Sequence, residues 1–425
     1  MTYQRRFALL LILAITAIAG FLFHGKSLQT TWRRIPQAIG LGEHYPSPEE
    51  IADGSNMLPD LRNSRPSPED QHLNSKGYAD FLPGTTKPAG EKYTRTIVLA
   101  RSQENTTWLE SELSDLFALE EWKHAVYVVD DPRAPFHPPK NKGHEVMVYL
   151  SYIIDHYEKL PDLSIFMHAH RFAWHNNELL NTDAAETLRR LSPERVIREG
   201  YMNLRCHWDP GCPDWLHPGA LGENLEKQEE TLLARSWGEL FPLEPIPAVL
   251  SQPCCAQFAL SRERILALPK SRYVYFRDWL LRSELSDYLS GRVFEYIWHF
   301  IFTGRSIVCP AMHACYCDGY GICFGGEKEF DEWFEIRFRM RESETRLSEW
   351  MYREKMIEEA KTEGRVEEEA ELVVPELGRD VELRKEIKRL QEELDRRKDW
   401  ALERGRDAKN RAAEAGRQWR EGDGF

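Results

Sequence analysis

Between residues 93 and 170, short apolar runs alternate with amphipathic stretches. Compact runs at 96–100, 125–129 and 163–167 predict buried β-strands. Residues 108–119 and 145–157 repeat apolar side chains at helical spacing and predict helices with one buried face. Strand, helix, strand, helix, strand is the order typical of parallel sheets. The pattern therefore predicts an α/β domain with a mostly parallel sheet and helices on both faces.

The pattern continues less regularly up to residue 326. Residues 183–199 predict a helix, and residues 200–206 predict a strand or extended segment. Residues 255–261 predict a strand that returns to the sheet, and residues 291–302 predict an aromatic-rich, largely buried helix.

Residues 327–425 shift to charged helix formers. Leu383, Ile387, Leu390 and Leu394 repeat at heptad spacing over little more than two heptads. This tail is predicted to be either a coiled coil, through which the chain associates with itself or another protein, or a solvated single helix with ion pairs along it.

The N-terminal segment, residues 1–24, carries an unbroken apolar stretch at 7–23 after Arg5 and Arg6. Its length is near the lower limit for a membrane-spanning helix. The alternative is a signal peptide cleaved after the small residues at 17–19. Because apolar residues continue past that site, a single-pass type II anchor in the membrane is favoured. If the N-terminus stays in the cytosol, both interpretations deliver the following residues to the lumenal side of the secretory pathway, in the endoplasmic reticulum or Golgi.

Composition and charge divide the remaining chain and exclude one class of function. Residues 25–92 are rich in Pro, Ser, Gly and Asn and predict a disordered stalk. The globular domain is predicted at 93–326 and the charged tail at 327–425. The formal net charge of −13 excludes a general nucleic-acid binder, which needs a basic surface.

The eight cysteines are an even number, as expected in an oxidising compartment. Cys206 and Cys212 bracket a tight Asp-Pro-Gly turn and are predicted to form a disulfide. Four others form either two further disulfides or a zinc site: Cys309, Cys315, Cys317 and Cys323. The absence of paired C-x-x-C motifs favours disulfides.

A group of histidines follows the third predicted strand. His168, His170, Arg171 and His175 come directly after the apolar run at 163–167. If the strand continues, His168 and His170 share one face at its carboxyl end, where open α/β sheets bind ligands. The alternative interpretation is a pair of hydrogen-bonded structural histidines. The spacing therefore indicates either a ligand-binding site or histidines that only form hydrogen bonds at the end of the strand.

A carboxylate and a histidine lie on the predicted helix at 291–302. Glu295 and His299 are four residues apart and would share a helical face among apolar neighbours. A buried carboxylate needs a partner. Either Arg292 or a nearby backbone end supplies that partner, or burial raises the pKa of Glu295 and suits it to act as a general base.

Two further polar segments are candidates for binding. Residues 142–145, Lys-Gly-His-Glu, open a predicted helix, where free N–H groups favour anions; an ordinary first helical turn is the alternative. Asp130 ends a predicted strand, where it would bind a ribose hydroxyl or a metal, or begin an Asp-Pro turn.

Several runs taken together resemble a large fungal family, domain of unknown function 3431, over roughly residues 95–325. The runs are Asn-Lys-Gly-His-Glu, Phe-Met-His-Ala-His-Arg-Phe-Ala-Trp-His, Gly-Tyr-Met-Asn-Leu-Arg-Cys, Cys-Ala-Gln-Phe-Ala-Leu and Gly-Arg-Val-Phe-Glu-Tyr-Ile-Trp-His. The family has no settled activity, so the resemblance implies a domain but no function.

The order of parts is also similar to nucleotide-sugar-dependent glycosyltransferases of the GT-A type. Those enzymes begin with a strand and a nucleotide-contacting loop, here at 100–105. A later strand of theirs ends in a metal-binding Asp-x-Asp, a position that His168-Ala-His170 fills here. Some members carry a Met-Phe or Gln-Phe strand, a Trp-Leu helix and a Phe-x-x-Glu-Arg helix. Similar segments here are Cys255-Ala-Gln-Phe258, Asp278-Trp-Leu280 and Val293-Phe-Glu295.

This second resemblance implies a nucleotide sugar as co-substrate. It makes Glu295 the catalytic base and His168 with His170 the site of a divalent metal, Mn²⁺ or Zn²⁺, since imidazoles favour these over Mg²⁺. Without a metal, Arg171 would help to neutralise the departing diphosphate. Contacts to the donor are expected from Arg101, Glu104, Asp130, Lys142, Gly143 and Glu145.

Three functional hypotheses follow. The first is a membrane-anchored, lumenal glycosyltransferase. The second is a non-catalytic binding or scaffold module with structural histidines and a partner-recruiting C-terminal helix. The third is metal-dependent hydrolysis through His168, His170 and His175, which lacks an evident carboxylate ligand.

Overall fold

The apolar runs of the sequence form a five-stranded sheet in the computed structural model of the protein. The structure describes residues 81–88, 90–219, 229–365 and 372–425. The predicted anchor at 1–24 and most of the predicted stalk lie outside these ranges. The strands are β1 (Arg95–Arg101), β2 (Trp122–Val128), β3 (Leu163–His168), β4 (Tyr201–Asn203) and β5 (Phe258–Ser261).

The helices surround this sheet and continue into the C-terminal region. Those of the described ranges are α1 (Trp108–Phe117), α2 (Val146–His156), α3 (Ala184–Arg190), α4 (Pro193–Glu199), α5 (Glu230–Leu240), α6 (Arg262–Leu266), α7 (Lys270–Arg282), α8 (Asp287–Glu295), α9 (Trp298–Thr303), α10 (Met312–Tyr320), α11 (Glu327–Thr362), α12 (Arg379–Gly405) and α13 (Ala408–Glu414). The α/β class predicted from the sequence is confirmed.

The sheet is mixed, so the prediction of a mostly parallel sheet is wrong. Its strand order is β2-β1-β3-β5-β4. β1 pairs in parallel with β2 and β3, whereas β5 runs antiparallel to both β3 and β4. The physical reason is that β5 begins at the end of the sheet where β4 ends, with Phe258 beside Asn203, so β5 runs in the opposite direction.

Alternation along the central strands divides the core into two layers. Val98 of β1 and Phe166 of β3 point to the layer formed with α2, α7, α8 and α9. Their neighbours Leu99 and Ile165 point to the layer formed with α1, α3, α4 and α10. Both faces of these strands therefore bury apolar side chains against helices. This explains why their sequences are almost continuously hydrophobic.

Two helices predicted as continuous are broken. The predicted helix at 183–199 becomes α3 and α4, because Ser192 caps α4 and Pro193 occupies its first turn. The predicted helix at 291–302 becomes α8 and α9. Glu295 is the last residue of α8 and His299 lies in α9, so the prediction that they share a helical face is wrong. His299 is buried, and its Nε2 lies 2.8 Å from the carbonyl oxygen of Ser306.

All eight cysteines are in disulfides, but the predicted Cys206–Cys212 pair is wrong. The pairs are Cys206–Cys315, Cys212–Cys309, Cys254–Cys255 and Cys317–Cys323. The first two connect the segment after β4 to the segment around α10, at sequence separations of 109 and 97 residues.

The charged C-terminal helices pack within the chain. α11 and α12 lie antiparallel, with Trp333 Nε1 donating to the Leu394 carbonyl oxygen at 3.0 Å and Arg384 near Met351. Leu390 and Leu394 of the predicted seam are buried in the core layer that contains Trp333. In the described ranges, no helix is long and apolar enough to cross a membrane.

Candidate functional site

Polar groups from four separate segments meet at the carboxyl end of β3. His168 ends the strand, Glu145 precedes α2, Glu295 ends α8, and Cys255 precedes β5. We call Glu145, His168, Glu295 and the Cys254–Cys255 disulfide the central cluster. It lies where open α/β sheets bind their ligands.

His168 is held by two hydrogen bonds. Its backbone N–H donates to Gln257 Oε1 at 3.0 Å, and its ring Nε2 lies 2.7 Å from the carbonyl oxygen of Cys255. Because a carbonyl oxygen only accepts, Nε2 must carry the proton. A neutral His168 therefore keeps its lone pair on Nδ1, and that nitrogen is the one able to accept a proton or bind a metal.

Glu295 is a partly buried carboxylate with a partner on each oxygen. Oε1 accepts from the Cys255 N–H at 2.9 Å, and Oε2 accepts from Arg292 at 2.8 Å. Arg292 also binds Glu229 at 2.9 Å. Burial acts to lower the pKa of Arg292, but the combined effect of Glu295, Glu229 and two neighbouring tyrosines outweighs it and raises that pKa. The arginine thus stays charged and compensates Glu295.

Glu145 is the second carboxylic acid of the central cluster. Burial raises its pKa; the charge of His168 acts against this and that of Glu295 adds to it. A carboxyl with a raised pKa is protonated over a wider pH range, and the protonated form donates a hydrogen bond. Glu145 is therefore suited to act as a hydrogen-bond donor or general acid.

His175 packs against His168, with ring centroids 4.5 Å apart. Burial lowers the pKa of His175 to about 2, and the charges of His168 and Arg205 act in the same direction. His175 is therefore neutral at physiological pH. Its Nε2 is buried and has no hydrogen-bond partner in the described part of the chain.

The Lys-Gly-His-Glu segment packs against the start of α8. Asp287 Oδ1 accepts from the Gly143 N–H at 2.6 Å and from the His144 N–H at 3.4 Å. Lys142 donates to the carbonyl oxygen of Ser283. A Cβ at Gly291 would lie 2.8 Å from His144 Cδ2, so glycine permits this close approach. The carboxylate of Asp287 thus occupies the N–H groups that were predicted to bind an anion.

His170 and Arg171 lie in the loop that follows β3. β3 ends at His168, so the alternation that predicts a shared face does not extend to the exposed His170. Arg171 forms ion pairs with Glu112 at 2.7 Å and Asp183 at 2.9 Å. These pairs connect the loop after β3 to α1 and α3, which is a structural arrangement.

The remaining predicted donor contacts lie at the ends of β1 and β2. Arg101 and Asp130 are exposed, and Glu104 Oε2 accepts from the Ser102 N–H at 2.6 Å. These three residues remain predictions for donor binding.

His168 and His170 lack a third nearby metal ligand in the described ranges. There, a set of three candidate ligand atoms within 4.8 Å of one another is formed by Cys317, Cys323 and Glu414. The two sulfurs of that set are bonded to each other in a disulfide. The prediction of Mn²⁺ or Zn²⁺ at His168 and His170 stays a prediction.

Sequence reasoning did not assign a role to Gln257 or to the Cys254–Cys255 pair. Gln257 Nε2 donates to Asn176 Oδ1 at 3.0 Å, which connects His168 to the loop after β3. Two features of the sequence could have drawn attention to them: Gln257 is a polar residue within a predicted apolar strand, and Cys254 and Cys255 are adjacent.

The chain belongs to the family described as Protein of unknown function (DUF3431). The family model matches residues 97–318, more than half of the chain and all residues of the central cluster. No curated protein matches the chain, and no solved structure matches it.

Proposed function

We propose that the domain is a glycosyltransferase that transfers a sugar from a nucleotide-sugar donor. The observation that carries the proposal is the meeting of Glu145, His168 and Glu295 at the carboxyl end of β3. Two carboxylic acids in different environments beside an imidazole are suited to move protons during group transfer.

The proposed roles follow from the partners of each side chain. Glu295, held by Arg292 and the Cys255 N–H, accepts the proton of the acceptor hydroxyl. Glu145, with its raised pKa, donates a hydrogen bond to the substrate. His168 offers Nδ1 to the donor diphosphate, as a proton donor when charged or as a ligand of a bound Mn²⁺ or Zn²⁺ ion.

The position of the Gln-Phe segment supports the likeness to GT-A enzymes. Gln257 directly precedes β5, which begins at Phe258 and inserts beside β3. The side chain of Gln257 then binds the backbone of His168. The strand with the Gln-Phe motif and the strand with His-x-His are thus neighbours, as a shared donor site requires.

We expect a donor to raise the melting temperature of the 425-residue protein, because a ligand that binds only the folded state stabilises it. The measurement is a thermal shift with UDP-glucose and GDP-mannose, each with and without Mn²⁺ or Zn²⁺. At a donor concentration 100 times Kd the stabilisation is about 2.7 kcal/mol. His168→Gln should reduce the shift, whereas Arg189→Gln, a change in an exposed ion pair, should leave it unchanged. Equal shifts in both variants would contradict binding at the central cluster.

The second candidate is a non-catalytic binding or scaffold module. The ion pairs of Arg171 favour this candidate, because the arginine binds Glu112 and Asp183 within the chain and connects structural elements. Under this hypothesis the donors bind without turnover or do not bind. The same thermal shift, followed by an assay for released nucleoside diphosphate, separates the two functions.

A further inference from the structure

The Cys254–Cys255 disulfide joins adjacent residues at the base of the central cluster. Cys255 has a φ of +86° and Ala256 a φ of +49°, a region that residues with side chains seldom adopt. Such a conformation persists only where the surroundings impose it. Here the Cys254 N–H donates to the Pro210 carbonyl oxygen at 3.1 Å, and Asn203 donates to the Pro253 carbonyl oxygen at 2.6 Å.

The backbone of Cys255 connects the two side chains to which proton transfer is assigned. Its N–H donates to Glu295 Oε1 at 2.9 Å, and its carbonyl oxygen accepts from His168 Nε2 at 2.7 Å. The unusual backbone conformation directs both groups into the cluster. A rotation at Cys255 would therefore disturb Glu295 and His168 together.

We infer that the Cys254–Cys255 disulfide is a positioning device for the central cluster. By linking adjacent side chains it holds Cys255 in the left-handed conformation, which keeps the proton of His168 on Nε2 and orients Glu295. The effect of this disulfide on catalysis rests on the proposed glycosyl transfer, whereas the effect of the disulfide on the tautomer of His168 does not. Cys254 and Cys255 are thus positioning residues, which act through His168 and Glu295 rather than on the substrate.

The test compares two pairs of serine substitutions in the whole protein. One variant, Cys254→Ser with Cys255→Ser, removes the disulfide of the central cluster. The matched control, Cys317→Ser with Cys323→Ser, removes another short-range disulfide, between α10 and the segment before α11. Because both remove one buried disulfide, a general loss of stability affects both variants.

The first readout is the tautomer of His168, measured by long-range ¹H–¹⁵N NMR on protein labelled in histidine. The resonances of His168 are assigned from their loss in His168→Gln. We expect wild type and control to hold the proton on Nε2, and the Cys254/Cys255 variant to average between both nitrogens. An unchanged His168 tautomer in that variant would overturn the inference.

The second readout is steady-state sugar transfer. In the Cys254/Cys255 variant we expect kcat to fall about tenfold or more, since small misplacements of reacting groups are costly. KM for the donor should rise as well, because the same change moves His168, whose Nδ1 is assigned to the donor diphosphate. An equal loss of kcat in the control would overturn the catalytic part of the inference. If wild type transfers no sugar, the proposed function fails, and the NMR readout still decides the positioning role.

Discussion

Replacing Glu295 with glutamine is expected to lower the rate of sugar transfer about 100-fold or more, the range typical of lost general-base catalysis. Glutamine has nearly the same shape but cannot accept the proton of the acceptor hydroxyl. Its amide oxygen can still accept from the Cys255 N–H, and Arg292 keeps its pair with Glu229. Donor binding, measured by thermal shift, should therefore survive.

Glu229→Gln is the matched control for this substitution. Glu229 is the second carboxylate on Arg292 and lies outside the central cluster. Both substitutions remove one charge from the same arginine, but only Glu295 is proposed to accept a proton. Transfer rates in Glu229→Gln should stay within a few-fold of wild type. Equal rates in the two variants would mean that Glu295 compensates the charge of Arg292 and takes no part in catalysis.

Replacing Asp318 with alanine is expected to destabilise the domain by about 3–5 kcal/mol, as is typical when one partner of a buried ion pair is removed. Asp318 is 1% exposed and accepts from Arg195 at 2.8 Å and from Arg198 at 2.7 Å. These contacts connect α10 to α4. The substitution leaves Arg198, itself buried, without its carboxylate. Equilibrium unfolding in denaturant measures the change in free energy.

Asp115→Ala provides the comparison. Asp115 binds Arg189 at 2.8 Å, but both side chains are largely exposed. Water solvates the charge of Arg189 after the substitution, so the loss of stability should be much smaller than for Asp318→Ala. A similar loss in both variants would contradict the importance of burial at Asp318.

The apolar runs made the strands and helices predictable, because β1 and β3 are covered by helices on both faces. The direction of β5 was not predictable in this way. A continuous apolar run is equally compatible with a parallel and an antiparallel strand. The direction of the strand depends on the end of the sheet at which the chain returns. The broken helix at residue 296 also escaped prediction, since its side chains are apolar on both sides of the break.

The disulfide pairing could not be predicted from the local sequence. The turn between Cys206 and Cys212 suggested that these two residues pair. Each instead bonds to a cysteine about one hundred residues later, Cys315 and Cys309 respectively. Such pairs depend on the tertiary packing of α10 against the segment after β4, and sequence spacing carries no information about it.

The candidate site was predicted in part. His168 was expected at the carboxyl end of β3, and Glu295 was singled out as a carboxylate among apolar residues; the fold brings both together with Glu145. Arg171 was expected in the same site because it is near His168 in sequence. In the structure Arg171 forms ion pairs with Glu112 and Asp183, which its position beside His168 in the sequence does not indicate, and its role at the diphosphate stays a prediction.

Donor binding at the central cluster is tested most directly by titrating histidine-labelled protein with the donor that gives the largest thermal shift, followed by ¹H–¹⁵N NMR. We predict that the ring resonances of His168 and His175 move with the same saturation curve as the thermal stabilisation. His299, buried in α9 and bonded to Ser306, should not move. A saturating donor that leaves the resonances of His168 unchanged would contradict a binding site at the central cluster.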